Sequence, residues 1–365
     1  MYKRGAFSDM DIKNIIDLNY IIDAKTSNIN PASLDLNVSN ERYRIDSIFM
    51  PKSNETVRSM LGVLGAREHK VDDILERNVI YLFKINESFK LSDNIFATCN
   101  PKSSSGRHDL HVRIVVDCAG RYDTIPENYK GEAWVIIVPR SYPVIMPENF
   151  SITQIKFNTE LGYFNEAELK NEWDTKPILY HRDSREYRLE SIKMRDGDGS
   201  VIMTVDLSFD DIVGYESTLT NSVLDLGGPN SSINYNDFFK PIYKVNNSLK
   251  LRKDNFYILS TKQYLRLAPH FTSEMIDMDS RVGEFRSHYA GFFDPGWGCN
   301  ADESGHGRPI TLEVRPYEDI VVQDGQPIGR IKFEYMSQIP ERHYDMMNSN
   351  YLYQSGPKLA KQFKM

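Results

Sequence analysis

Cysteine is nearly absent from this chain. Cys99, Cys118 and Cys299 are the only three in 365 residues, and they form neither a CxxC pair nor an even set. That excludes a disulfide scaffold and leaves reduced, structural thiols. Long apolar runs are missing too: none approaches the roughly 20 residues that cross a bilayer. The opening Met1-Tyr2-Lys3-Arg4-Gly5-Ala6-Phe7 lacks the apolar core of a signal peptide. A cytoplasmic address and no membrane partner are therefore expected. A basic tail is missing as well, with a net charge of −7 and no lysine or arginine block. A nucleic-acid polymer, whose binding relies on a basic surface to displace counterions, is not an expected partner. A small phosphorylated ligand remains open, because it needs only one local cluster of donors. Eight histidines are present, yet neither HExxH nor HxE followed by PCxxC occurs. Hydrolysis by this chain would have to activate water without protein-bound zinc.

What is there suits two folded units. With 40% hydrophobic and 26% charged residues, a chain of 365 residues can fill two ordinary cores. Short alternating stretches rich in Val, Ile, Tyr and Phe read as strands, among them His111 to Val116, Ala133 to Val138 and Ile310 to Val314. Gly, Pro, Asn and Asp clusters between them supply turns. Ser8 opens a capping signal for a helix from Asp9 to Ile16, and Thr56 to Arg77 carries enough spaced Leu, Val and Met for a helix or two. The expected class is mainly β, a barrel or sandwich in each unit with a few short helices.

An internal repeat supports the division. Tyr43-Arg44-Ile45-Asp46-Ser47-Ile48 matches Tyr187-Arg188-Leu189-Glu190-Ser191-Ile192 in its order of apolar, basic and acidic positions. A longer match sets Tyr81 to Leu91 beside Tyr257 to Leu267. Two matches in the same order argue for a duplicated domain. The polar stretch Glu166 to Lys176 marks the expected boundary, giving domains 1–171 and 172–365.

Two loops carry the candidate chemistry. Lys102-Ser103-Ser104-Ser105-Gly106-Arg107 packs three hydroxyls, a glycine and two cations into six residues. Such a loop can present N–H, O–H and cationic donors to a polyphosphate, with Gly106 allowing close backbone approach; the ordinary alternative is a solvated serine-rich turn. Glu313 sits within the apolar strand Ile310-Thr311-Leu312-Glu313-Val314. Alternation puts it on the face opposite Leu312 and Val314, either pointing into solvent or held in a pocket as a proton-shuttling carboxylate. Asp294-Pro295-Gly296-Trp297 reads as a tight turn leading to that strand. Trp297 there is either ordinary packing or one wall of a nucleotide pocket.

Taken in order, these segments resemble a known family. His288 to Trp297, the strand bearing Glu313, Gly325-Gln326-Pro327-Ile328-Gly329 and the tail Tyr351-Leu352-Tyr353-Gln354-Ser355-Gly356-Pro357 together resemble the dCTP deaminases of the trimeric dUTPase-like superfamily. Ile29 to Leu36 looks like that family's opening strand. The resemblance covers both halves and implies two tandem dUTPase-like distorted β-barrels. It also implies zinc-independent hydrolysis of dCTP to dUTP and ammonia, with Mg²⁺ carried by the nucleotide triphosphate. By resemblance Glu313 is the catalytic glutamate, with Ser103 and Arg107 the essential serine and arginine. Lys102, Ser104 and Ser105 fall in the phosphate loop, and Ala290 helps to hold the base and the attacking water. Trp297 closes the nucleoside side, while Tyr351, Gln354 and Lys358 belong to a closing tail. The tail departs from the family at Asn350, where a lysine is usual.

The two copies differ at these positions. Aligned through Tyr129-Lys130-Gly131-Glu132, the first copy has Ile136 where the glutamate should stand. The second has Asp277 and Met278 in place of the loop serines and keeps only Arg281. Superfamily sites form between barrels, so one site per chain is expected, pairing the first copy's phosphate loop with the second copy's glutamate, within or between chains. Two barrels do not close a three-barrel ring, so a homo-oligomer is expected. A dUTPase, a bifunctional deaminase–dUTPase and a nucleotide-binding regulator without turnover are the competing readings.

Overall fold

The computed structural model describes residues 3–191, 198–276, 285–286, 291–347, 349 and 351–364. The described chain is mainly β, with few and short helices. Ser8 caps the helix Asp9–Asp17 as its sequence requires, accepting from the Asp11 N–H while the Asp11 side chain closes the capping box. The expected helix across 56–77 is limited to Val57–Met60. Gly65, at φ +60°, turns the chain out of any helical path, and Arg67–Glu68 then pairs as a strand.

One antiparallel sheet organises the first half, in the order Leu110–Val116, Lys130–Pro139, Ile80–Lys90, Leu34–Ile45, Ser151–Asn158, Phe96–Pro101 and Thr124–Ile125. The second half repeats this order in two pieces. Phe285–Arg286, Arg308–Pro316, Tyr257–Leu265 and Gly214–Ser217 form one run; Val201–Thr204, Pro327–Tyr335, Phe271–Ile276 and Phe292–Phe293 form the other. The single long strand Leu34–Ile45, which serves both runs in the first half, is split between Val201–Thr204 and Gly214–Ser217 in the second.

Strand register establishes which residues correspond. Leu82 lies between Tyr43 and Ile136, and Ile258 lies between Tyr215 and Glu313. In both copies the tyrosine one residue earlier, Tyr81 or Tyr257, accepts a 2.8 Å hydrogen bond from the N–H five residues before it, that of Glu76 or Arg252. Ile136 and Glu313 are thus counterparts. The shorter of the two sequence matches is corrected, since the partner of Tyr43 is Tyr215. Tyr187 lies in a loop ahead of the short 3-10 helix Leu189–Ser191, and Ile192 is outside the described residues. A shared Tyr-Arg pattern carried no register information there.

The face that carries Ile136 is filled from within its own half. Ile136, Leu82, Val115 and Trp134 pack with Phe49, Val57 and Leu64 from the 46–66 segment. The corresponding face of the second half meets the first half instead: Ile258 joins the first-half core, as do Phe238, Phe239 and the tail residues Leu359 and Phe363. The seam between halves is therefore partly apolar core, and the chain's last residues cross it.

Candidate active site

The Lys102–Arg107 segment folds as a one-turn helix, Ser103–Arg107, at the end of the Phe96–Pro101 strand. Lys102 is its N-cap, and its N–H donates to the Ile152 carbonyl at 3.1 Å. Glu313 arrives from the other half on the Arg308–Pro316 strand and is 2% exposed, so the solvent-facing alternative is excluded. The two elements touch. A Cβ added at Gly106 would lie 2.6 Å from the Glu313 carboxyl carbon, so only glycine leaves room for the carboxylate against the helix.

Around this contact is a cavity of about 240 Å³ lined by Lys102, Ser103, Ser104 and Arg107 from the first half and by Trp297, Glu313 and Tyr351 from the second. Seven of the residues singled out in the sequence thus share one cavity within a single chain. Ser105 does not join them; fully buried, it donates to the Ile152 carbonyl at 2.8 Å and anchors the helix. Gln354 and Lys358 act on Arg107 from behind the cavity wall. The Arg107 guanidinium donates to the Lys358 carbonyl at 2.8 Å and the Gln354 Oε1 at 3.1 Å, and it lies 3.8 Å from the Tyr351 ring centroid. Gln354 in turn donates to the Pro309 carbonyl at 2.5 Å, which fastens the tail to the glutamate strand. Arg281, Ala290, Asp277, Met278 and Asn350 lie outside the described residues.

Sequence reading missed several polar residues of the cavity. Asp35 pairs with the Lys102 ammonium and accepts from Asn30 Nδ2 at 2.9 Å. Asp294 accepts from the Ala32 N–H at 3.2 Å, and burial pushes its carboxyl up to about 7, with Asp35 adding to the shift. Lys361 also lines the cavity; burial and the nearby Lys102 lower its pKa. Asp35 follows the Asn30-Pro31 turn and Asp294 opens the turn before Trp297, but nothing local in the sequence shows that segments so far apart in the chain come together.

Three further contacts fix the halves around the cavity. The Gly291 N–H donates to Asn100 Oδ1 at 2.8 Å, which ties the segment before Trp297 to the first half. Asp109, fully buried two residues after Arg107, pairs with Arg315, two residues after Glu313. Lys156 is buried with Glu334 at 2.6 Å and Glu274 at 3.3 Å, and its ammonium lies 4.9 Å from the centroid of Phe292, a cavity residue. No group of three or more His, Cys, Asp or Glu that could hold a metal ion occurs among the described residues. No described helix is long and apolar enough to cross a membrane.

The tail is pinned at its far end by His108. Its ring nitrogens lie 3.0 Å from Tyr142 Oη and 2.9 Å from Gln362 Oε1. Burial lowers its pKa to about 4, the Gln362 hydrogen bond opposing and Lys361 adding to the shift. A histidine kept neutral on folding leaves the unfolded chain binding more protons between its ordinary pKa near 6.5 and about 4. Stability should therefore fall as pH drops through that window and level off below it. His108→Asn should flatten this part of a plot of denaturation midpoint against pH.

A mainly-β fold duplicated in one chain, with a carboxylate facing a serine- and cation-rich helix in one cavity, defines a two-domain hydrolase suited to a phosphorylated substrate. Residues 3–161 match the N-terminal domain, and residues 166–363 the C-terminal domain, of the 2'-deoxycytidine 5'-triphosphate deaminase family models. The chain belongs to the dCTP deaminase family. It is similar to the crystal structure of 2'-deoxycytidine 5'-triphosphate deaminase from Agrobacterium tumefaciens, with 30% identity and a TM-score of 0.83 over 93% of this chain and 100% of that one. No curated protein matches by sequence comparison.

Proposed function

We propose that the chain hydrolyses dCTP to dUTP and ammonia in this cavity, one site per chain, each half supplying what the other lacks. The observation that carries the reading is the contact of Glu313 with the Ser103–Arg107 helix across the seam, for which Gly106 leaves space. Glu313 takes a proton from water as the oxygen bonds to C4 of cytosine and passes it to N3, then takes the remaining proton from the new C4 hydroxyl and passes it to the departing amine. The C4–N bond breaks and the C4 carbonyl of uracil forms. Sheltering the carboxylate from bulk water favours this shuttling. Ser103 and Arg107 hold the water and the developing oxyanion by directed donors. Lys102, Ser104 and Lys361 face the triphosphate, which brings its own Mg²⁺. Ile136, sealed under Phe49 and Trp134, leaves the first half without a comparable acid or an open cleft.

Incubation with dCTP should release ammonia and dUTP in equal amounts; pyrophosphate without ammonia would sink the reading in favour of a dUTPase. The placement of both halves in one chain gives a second test. Ser103→Ala and Glu313→Gln proteins, each with little activity, should stay inactive when mixed under conditions of proven subunit exchange. Recovered turnover would put the working site between chains.

A further inference from the structure

A second cavity lies on the seam, outside the site described above. Its volume is about 550 Å³, and its cations are Arg77 and Arg140 from the first half and Arg315 from the second. That is an unusual concentration of positive charge for a chain of net charge −7. Arg315 is bound to Asp109, but Arg77 and Arg140 have no carboxylate within ion-pair distance among the described residues. Arg77 donates to the Leu219 carbonyl at 2.8 Å and Arg140 to Asn78 Oδ1 at 3.3 Å. These single neutral contacts orient each guanidinium and leave its charge uncompensated. The carboxylate on the wall, Asp254, is exposed and outnumbered by the two.

Guanidinium groups held in a concave wall, with N–H donors to spare, match phosphate oxygens in charge and geometry. The cavity is of the size that accommodates a small organic ligand. Tyr317, 51% exposed at its rim, presents a ring face to a planar base. We propose that this cavity is a second nucleotide site, which binds the phosphates of a nucleoside triphosphate through Arg77 and Arg140 and its base on Tyr317. Its occupant would sit against Arg315, whose pairing with Asp109 joins the glutamate strand to the end of the phosphate loop.

Calorimetric titration of the full-length protein with inorganic tripolyphosphate tests the phosphate half. Wild type should show one more binding site per chain than Arg77→Ala/Arg140→Ala, whose dCTP turnover should be unchanged because neither residue touches the active site. Equal site numbers would overturn the proposal. Should the double variant lose turnover through misfolding, Arg77→Gln and Arg140→Gln singly decide it: each should weaken the extra site at least severalfold, and unaltered binding in both overturns it. Titration with dUTP tests the base half. Tyr317→Ala should bind dUTP about tenfold more weakly at the extra site and tripolyphosphate as wild type does. Equal dUTP affinity would overturn the assignment to a nucleotide.

Discussion

Replacing Glu313 by glutamine should reduce kcat for dCTP by about 10²–10⁴ while leaving dCTP binding largely intact. The substitution keeps the shape that fits against Gly106 and removes only the capacity to accept a proton. On the proposed function, binding rests mainly on other groups, the Ser103–Arg107 helix and the tail, so affinity should change little. Ammonia release under saturating dCTP measures the first quantity and calorimetric titration the second. Loss of binding in parallel with turnover would make Glu313 a substrate-holding group. Unchanged turnover would move the proton transfer to another residue, with Asp294, a cavity carboxyl raised to about 7, an alternative.

Lys156→Met should destabilise the protein by about 3–5 kcal/mol, because it strips the cation from a buried cluster and leaves the carboxylates behind. Glu334 is 1% exposed and Glu274 reaches the same ammonium at 3.3 Å. Asn158, the Gly162 N–H and Tyr163 also donate to these carboxylates, so the cluster binds first-half residues to second-half ones through several bonds. The pH dependence should reverse as well. Burial alone would raise the Glu274 carboxyl, but Lys156 and Tyr163 hold it below its ordinary 4.5. A carboxyl lowered on folding contributes stability above its unfolded pKa and loses it as pH falls through the folded value. Without Lys156 burial prevails and the pKa rises, so the variant's deficit should grow as pH increases above about 4.5. Denaturant midpoints from pH 4 to 8 would show this; a constant deficit would mean that lost packing, not charge, was its source. Turnover should fall too, since Phe292 rests on the Lys156 ammonium and lines the cavity.

The mainly-β class and the duplication were legible in the chain. Alternation and turn residues encode strands locally, and the Tyr81 and Tyr257 segments kept enough of their pattern to be matched. The weaker Tyr43 and Tyr187 match failed because six residues of similar polarity recur without a shared fold, and only pairing with a neighbouring strand tells them apart. The 56–77 segment was overread as helical for a related reason: its apolar residues, Val57 and Leu64 among them, serve to cover Ile136 and Trp134, a tertiary task with no helical period.

For the site, sequence determined which side chains were available: a serine-rich cationic loop in one copy, a glutamate in an apolar strand in the other, and Ile136 where a second glutamate would have been. Such identities are local and survive in the order of residues. Tertiary structure decided that Glu313 is buried, that it meets the Ser103–Arg107 helix of the same chain, that Ser105 anchors that helix, and that Asp35, Asp294 and Lys361 join the cavity. Those facts depend on how two barrels pack across a seam. Their contacts join residues far apart in the chain, 262 positions in the case of Ala32 and Asp294, and no local pattern records a distance of that kind.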